Sequence, residues 1–317
     1  MELYIIYYVI LLLLFGYWVI FHNPAMNSIS AFTPAQPSID DQVEELDENS
    51  HYHHPTWSHR WSHPNFTEQA MRAWRKEPWY GDHQRLSSDF LYSKGIHNFP
   101  WGYIIYRTVY TAESDKLWPL AMAKLHRFIK HSIMQDYSLQ VDRYGDNSRP
   151  EQLVQESHKD VIISDKQRWD GAGIEQIRQH FKSYLGKTKL GMDRGRGRFE
   201  ACMVIDERSL KSIIASPEPG SKSRFRQPYA FVGMADGWHD LEQKGNPGYS
   251  GFMRVEIDYL WELYVYFGIW SMDELCPSAP PGFISVYDWW YGEAMDEEGN
   301  VHKFPTRPPG LESRARE

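Results

Sequence analysis

The clearest pattern of hydrophobic and polar positions starts at Trp101 and predicts a buried strand. Residues Tyr103 to Tyr110 are rich in β-branched and aromatic side chains, and Arg107 is the only charged residue among them. Such a run suits a strand that is covered on at least one face. We therefore expect the folded part of the chain to be built around this strand and the segment that follows it.

The segment after this strand has the spacing of an amphipathic helix that reaches Met134. Ser114 and Asp115 offer side-chain oxygens to the free N–H groups of a helix start, and Pro119 is tolerated in a first turn. Apolar residues then recur every three or four positions, at Trp118, Ala121, Met122, Leu125, Phe128, Ile129 and Ile133. This stripe can face a sheet while the intervening Lys and Arg residues stay in water.

The rest of the chain alternates between strand and helix patterns. Predicted strands lie at Val161–Ser164, Phe199–Ile205, Tyr229–Ala235 and Met253–Ile257, and predicted helices at Ile174–Leu185, Glu207–Ala215 and in the apolar run after Asp258. Asp206 is placed to cap the helix that starts at Glu207. The alternation predicts an α+β or α/β fold, with one mixed sheet of about four or five strands and helices packed against it.

The N-terminal run from Leu3 to Phe21 is apolar and uncharged over 19 residues. As a helix it would span about 28 Å, close to the thickness of a bilayer core. A cleaved signal peptide and a wrongly assigned gene start are alternatives, but the run is long for a signal peptide and no basic residue precedes it. We predict a single-pass membrane anchor at residues 1–22, in an orientation that the sequence does not reveal because the nearest basic residue is Arg60.

Composition divides the remaining chain into four parts. We predict a disordered acidic and His-rich linker at 23–64, an arm at 65–97, an α/β domain at 98–292 and a disordered tail at 293–317. The linker is rich in Pro, Ser and acidic residues, a composition that buries too little surface to fold. Asn65-Phe66-Thr67 is a glycosylation sequon, which is meaningful if the domain lies on the lumenal side of a membrane.

Almost all of the net charge of −8 comes from the N-terminal part of the chain. Residues 1–59 hold seven of the 42 acidic residues and no Lys or Arg, which leaves 35 acids against 34 bases in the rest. A nearly neutral domain argues against nucleic acid as a partner. The Arg- and Gly-rich run Arg194–Arg198 is for the same reason interpreted as a solvated connector rather than an RNA-binding segment.

No cofactor or metal site is predicted. The two cysteines, Cys202 and Cys276, do not have a metal-ligand spacing, and Cys202 lies in a predicted buried strand,. Five histidines lie close together near the end of the predicted linker, at His51, His53, His54, His59 and His63. They could bind Zn²⁺ or Cu²⁺, but because this segment has no cysteines and no recognised spacing, we favour a linker that binds no metal.

Polar residues near predicted strand ends supply the candidate catalytic residues. These are Arg107, Asp206, Asp236, His239 and Asp240, which could form an acid–base cluster if the fold brings them together,. The favoured alternative gives four of them a structural role: Asp206 caps a helix, Asp236 begins a turn, His239 lies at the surface and Arg107 pairs with a carboxylate.

Several motifs resemble a large set of uncharacterised proteins of filamentous fungi. WGYIIYRTVYT with its helix, RFEACMVIDERSLKSII, FVGMADGW and GFMRVEIDYLWELY carry the resemblance, which covers roughly residues 98–288. Members of that set have no established activity, so the resemblance assigns no catalytic residue. Some such genes neighbour specialised-metabolite pathways, and members typically lack an obvious membrane span, from which the anchor here departs.

Two functional classes follow from these observations. The first is a membrane-anchored accessory protein, associated through the resemblance with a fungal specialised-metabolite (mycotoxin) pathway. The second is a membrane-tethered hydrolase or isomerase that uses His239 with Asp236 or Asp240 as an acid–base pair. No protein or small-molecule partner can be named from the sequence.

Overall fold

Three runs of β-branched and aromatic residues form the centre of the sheet. They are β2 (Ile104–Arg107), β3 (Asp160–Ile163) and β4 (Ala201–Ile205), in which every residue is buried. β2 lies between β3 and β4, parallel to both, and β1 (Val43–Glu45) pairs in parallel with the outer side of β3. Burial on both faces explains why these runs are continuously apolar rather than alternating.

The fold is seen in a computed structural model that describes residues 43–45, 64–94, 100–139, 145, 147–187, 197–221, 230–239, 249–267, 269–280, 282–288, 292–296 and 298–304. The predicted anchor and most of the predicted linker lie outside these residues. Contacts group the chain from Gln42 onwards into one unit. No helix among the described residues is long and apolar enough to cross a membrane.

The other half of the sheet is mostly antiparallel. It contains β5 (Phe231–Asp236), β6 (Phe252–Glu256), β7 (Ile284–Tyr287), β8 (Gly292–Met295) and β9 (Val301–Phe304). β4, β5 and β6 pair antiparallel, β7 runs parallel to β6, and β7, β8 and β9 form an antiparallel meander. The strand order across the sheet is β1-β3-β2-β4-β5-β6-β7-β8-β9.

The structure confirms an α+β fold with one mixed sheet, but the predicted number of four or five strands is wrong. The strands missed by the prediction have three or four residues each and no clear alternation of polar and apolar positions. β8 and β9 fall where a disordered tail was expected, and Met295 of β8 is fully buried against Phe231 and Val286. These short strands form because neighbouring strands supply their hydrogen bonds.

Helices cover both faces of the sheet. They are α1 (Glu68–Trp74), α2 (Leu86–Lys94), α3 (Ala112–Leu139), α4 (Arg149–Glu156), α5 (Lys166–Trp169), α6 (Ile174–Lys187), α7 (Gly197–Glu200), α8 (Glu207–Ala215), α9 (Leu260–Tyr266) and α10 (Met272–Leu275). α3, α8 and α9 share the core of one face with Ile105 of β2. α5 and α6 share the core of the other face with Ile104 and Tyr106.

The long helix α3 begins earlier than its sequence pattern predicts. Thr111 caps it, because the Thr111 hydroxyl accepts a hydrogen bond from the N–H of Ser114 at 3.0 Å. Pro119 therefore lies inside the helix instead of in its first turn. Because Pro119 has no N–H, the carbonyl of Asp115 lacks the hydrogen-bond donor that a helix usually supplies four residues later.

Two other helices match their predictions closely. Asp206 caps α8, accepting from the N–H of Ser209 at 2.8 Å. The apolar run after Asp258 forms a 3-10 turn, Ile257–Tyr259, and then α9, whose residues Leu260, Trp261 and Leu263 are fully buried. Asp258, which the sequence predicts as the cap of this helix, is instead the middle residue of the 3-10 turn, and Tyr259 is the N-cap residue of α9.

Candidate functional site at the amino edge of the parallel strands

The predicted catalytic residues lie at opposite edges of the sheet. Arg107 ends β2 and pairs in register with Ile205, so Arg107 and Asp206 lie at the carboxyl edge of the parallel strands. Asp236 pairs with Ala201, the first residue of β4, and so lies with His239 at the amino edge. The length of β4, about 16 Å, separates the two edges. Asp240 lies outside the described residues.

Arg107 and Asp206 each have an internal partner. The Arg107 guanidinium donates to the Val109 carbonyl at 2.9 Å and to the Asp115 carboxylate. Asp206 accepts from Arg254, with Nη2 at 2.6 Å. Burial would raise the pKa of Asp206, but the charge of Arg254 and the hydrogen bonds from Arg254 and Ser209 together outweigh burial and lower it. Both residues therefore fit the structural roles of a paired cation and a helix cap.

Asp236 and His239 lie near each other but make no hydrogen bond together. Asp236 accepts from the N–H of Trp238 at 2.7 Å and from the Tyr249 hydroxyl at 3.0 Å. The His239 ring packs edge-on against Tyr249, with ring centres 5.2 Å apart, and its Nε2 is enclosed with no hydrogen-bond partner among the described residues. The Asp236 carboxylate thus orients a turn and a tyrosine.

A second amino-edge cluster, missed by the sequence analysis, joins one carboxylate to two imidazoles. Asp160, the first residue of β3, is fully buried. Its carboxylate accepts from the N–H of Tyr103 at 2.6 Å, and it lies 3.0 Å from Nε2 of His126 and 3.2 Å from Nε2 of His158. The two rings are perpendicular, with centres 5.4 Å apart. We call these three side chains, Asp160, His126 and His158, the amino-edge triad.

The acceptor-only carboxylate fixes the tautomers of both rings. An ionised carboxylate cannot donate, so each Nε2 that faces Asp160 carries a proton and each neutral ring keeps a lone pair on Nδ1. Burial would raise the pKa of Asp160, but the two imidazoles and their N–H bonds outweigh burial and hold that pKa well below its ordinary value. Burial lowers the pKa of His158 and outweighs the charge of Asp160.

The two imidazoles differ in their contact with solvent. The His158 side chain is 2 % exposed, and its Nδ1 is enclosed without a partner among the described residues. The His126 side chain is 7 % exposed. His126 is therefore the more exposed of the two imidazoles.

The backbone before β2 and β3 sets the position of Asp160. Gly102 has φ = +141°, and a Cβ there would lie 2.5 Å from the Lys159 carbonyl, so only glycine allows this approach,. Arg198 donates to the Gly102 carbonyl at 3.0 Å and to the Lys159 carbonyl. Arg198 is only 3 % exposed, so the prediction of a solvated connector is wrong at this residue.

The sequence carried a weak signal for the amino-edge triad. His126 falls four residues after Met122 and three before Ile129, on the apolar stripe of α3, and His158 precedes Asp160 by two positions at the start of a buried strand. A histidine on an apolar stripe usually has a structural partner. Nothing in the sequence indicates that α3 reaches β3, because that contact depends on how the helix packs.

The described residues hold no group of three His, Cys, Asp or Glu side chains suited to a metal ion. Both cysteines are buried, and burial raises the pKa of Cys276 to about 12 and that of Cys202 still further. The five histidines from His51 to His63, in the predicted linker, lie outside the described residues.

The sequon lies at the start of α1. Asn65 is half-buried in the 3-10 turn Pro64–Phe66 and donates to the Glu156 carboxylate at 2.6 Å. Thr67 caps α1, accepting from the N–H of Ala70 at 3.1 Å. Both polar side chains of the sequon thus have partners in the folded chain.

Comparison with known proteins adds no assignment to this geometry. No protein-family model matches the chain, and neither the curated proteins nor the solved structures contain a match.

Proposed function

We propose that the chain is a membrane-tethered enzyme of the acid–base type, a hydrolase or isomerase, with His126 as its proton-transferring group. The observation that supports this is the fully buried Asp160 carboxylate, which lies 3.0 Å from His126 Nε2. A carboxylate behind an imidazole orients the ring and stabilises the imidazolium that forms when the ring takes up a proton. This arrangement replaces the His239 pair that the sequence suggested.

Each member of the amino-edge triad has a distinct task in this proposal. His126 offers its Nδ1 lone pair to the substrate as a general base and returns the proton as a general acid. Asp160 is a positioning residue that fixes the tautomer of His126. His158, with its lowered pKa, stays neutral and donates a second N–H to Asp160, which keeps the carboxylate ionised.

A complementation experiment tests the proposal without a known substrate. The gene is deleted in the organism that encodes it, the deletion strain receives wild-type, His126→Gln or His83→Gln alleles, and small-molecule profiles are compared. Gln keeps an N–H for Asp160 but has no basic nitrogen. We expect His126→Gln to reproduce the deletion profile at normal protein abundance, and His83→Gln, at a histidine whose side chain is 64 % exposed, to restore the wild-type profile.

A non-catalytic accessory protein of a specialised-metabolite pathway is the second candidate. The enclosure of the amino-edge triad favours it, because a carboxylate with three N–H donors also serves to hold α3 against β2 and β3. Under this function a stable His126→Gln protein restores the wild-type profile. An unchanged profile in the deletion strain would contradict the pathway assignment itself.

A further inference from the structure

His158 is enclosed in a form that leaves no partner for a second proton. Its Nε2 lies 3.2 Å from the Asp160 carboxylate and carries the proton of the neutral ring,. A further proton must therefore bind Nδ1, which is enclosed and has no hydrogen-bond partner among the described residues. The side chain is only 2 % exposed, so bulk water does not reach the N–H that would form.

The ring that packs against His158 is a poor acceptor for that N–H. Trp101 lies against the imidazole with ring centres 4.5 Å apart, and Trp101 is itself fully buried against Trp261 and Tyr264. The face of a tryptophan ring attracts a cation, but it accepts a hydrogen bond more weakly than an oxygen atom does. A protonated Nδ1 would thus be a buried donor without a strong acceptor, which is costly.

The charges near His158 do not balance an additional positive charge. The ionisable groups that act on His158 are Asp160 of β3, His126 of α3 and Arg198 of α7. Asp160 is the one anion among these three and already faces two imidazoles, whereas Arg198 is a buried cation. Burial is the largest cause that lowers the pKa of His158, and Arg198 acts in the same direction. An imidazolium at His158 would therefore leave uncompensated positive charge in a buried site.

Two backbone hydrogen bonds hold His158 in this position. The N–H of Trp101 donates to the Ser157 carbonyl at 3.0 Å, and the N–H of Lys159 donates to the Trp101 carbonyl at 2.7 Å. These bonds flank His158, which pairs with Trp101 as an isolated β-bridge just before β2 and β3 begin. A few bonds at the end of a sheet can open locally, without unfolding of the elements behind them.

We propose that His158 is an acid-sensitive switch: when it takes up a proton, the contact between residues 101–103 and 157–160 opens while the rest of the sheet stays folded. In the open form both N–H groups of the imidazolium can donate to water. Asp160 stays ionised in this range, because its pKa is held well below its ordinary value. The switch follows from the packing of His158 and does not depend on the proposed enzyme activity.

The direction of the response follows from proton binding. In the open form His158 titrates near its ordinary value of 6.5, whereas burial lowers the pKa in the closed form. The open form is therefore increasingly favoured as the pH falls below 6.5. For one proton taken up on opening, the ratio of open to closed molecules rises about tenfold between pH 7.5 and pH 5.5.

Hydrogen exchange of backbone amides in the full-length protein tests the switch. Protection factors are measured at pH 7.5 and pH 5.5 and corrected for the pH dependence of the intrinsic exchange rate. We expect the protection of the Trp101 and Lys159 amides to fall about tenfold. At both pH values it should also be lower than the protection of the amides of β4, because β4 lies in the middle of the sheet and exchanges only when the sheet unfolds,.

Two substitutions identify the group that takes up the proton. His158→Gln keeps an N–H for Asp160 but has no basic nitrogen, so the tenfold fall should disappear. His302→Gln, at a histidine of β9 whose side chain is 47 % exposed, is the matched control at the far end of the sheet and should show the same fall as the wild type. The wild-type measurement decides by itself if His158→Gln does not fold.

Three results would overturn the switch. The first is unchanged protection of Trp101 and Lys159 between the two pH values, and the second is protection equal to that of β4, which indicates global unfolding. The third is a fall that persists in His158→Gln or disappears in His302→Gln, because either result assigns the proton to another group. None of these measurements reports catalysis, so failure of the proposed enzyme activity would leave them unchanged.

Discussion

At the scale of single residues, the buried ion pair between Arg85 and Glu151 is an interaction that is costly to break,. Arg85 is 1 % exposed, Glu151 is fully buried, and two guanidinium nitrogens face the carboxylate. Removing one partner leaves the other charge buried without compensation. The pair joins the segment before α2 to α4, in a region where sequence analysis predicted only a surface arm.

We expect Glu151→Gln to lower the free energy of unfolding by about 3–5 kcal/mol, the usual loss on breaking a buried pair. Urea denaturation followed by tryptophan fluorescence measures this change. The double substitution Arg85→Met with Glu151→Leu should cost less than Glu151→Gln alone, because it leaves no unpaired charge. A Glu151→Gln protein as stable as wild type would show that the pair is not formed in solution.

The amino-edge triad makes stability depend on pH. Burial lowers the pKa of His158 below its ordinary value of 6.5. As the pH falls, the unfolded chain therefore takes up a proton at His158 at a higher pH than the folded chain does. Stability should therefore fall as the pH drops through 6.5. The lowered pKa of Asp160 adds a second loss that begins as the pH drops through 3.8.

Unfolding free energies measured from pH 7.5 to pH 5 test the first of these losses. We expect His158→Gln to flatten the dependence near pH 6.5. Equal slopes for the wild type and His158→Gln would contradict the assignment to His158.

At the scale of elements, Thr111 shows what local sequence reasoning can and cannot find. The apolar stripe identified α3, but Ser114 and Asp115 were predicted as its start, because Pro119 then falls in the first turn. The helix instead begins at Ala112, and Arg107 binds Ser114 and Asp115 inside its first turn. That contact joins a strand end to a helix and cannot be read from spacing.

We expect Thr111→Ala to lower the free energy of unfolding by about 1 kcal/mol, the typical value for the loss of an N-cap oxygen. Thr111→Ser keeps the oxygen and should stay within a few tenths of a kcal/mol of wild type. Thermal denaturation at neutral pH distinguishes the two. Equal losses for Ala and Ser would mean that the methyl group of Thr111, rather than its hydroxyl, is what matters.

The residues of the candidate site also differ in whether their contacts are local or join distant parts of the chain. The capping role of Asp206 and the pairing of Arg107 depend on neighbours close in sequence or in the adjacent strand, and both were predicted. The amino-edge triad brings together β3 and a helix 34 residues earlier in the chain. Sequence periodicity predicts which face of α3 is buried, but not which polar residue of another element that face meets.

At the scale of the whole molecule, the described domain and the apolar N-terminal run lead to a prediction about the membrane. Leu, Ile, Val and Phe each favour insertion by about 0.3–0.6 kcal/mol near a helix centre, and residues 3–21 contain many of them,. We propose that these residues anchor the protein as a single-pass membrane protein, and we expect it to stay in the pellet after alkaline carbonate extraction. A protein lacking residues 1–30 should become soluble.

A full-length chain found in the supernatant, or a mature N-terminus beyond Phe21, would contradict the anchor. A glycan on Asn65 would place the domain on the lumenal or outer side of the membrane. Because Asn65 and Thr67 have partners in the folded chain, we expect any glycan to be added before the domain folds.

The hairpin of β8 and β9 determines where a fragment that contains only the domain can end. A fragment that ends near residue 292, where composition suggests a boundary, would lose the strands that cover β7 and would expose Val286 and Phe231, the partners of Met295. Bare strand edges with apolar neighbours promote aggregation. The shortest soluble fragment should therefore extend at least to Phe304, beyond the point where the hydrophobic pattern fades.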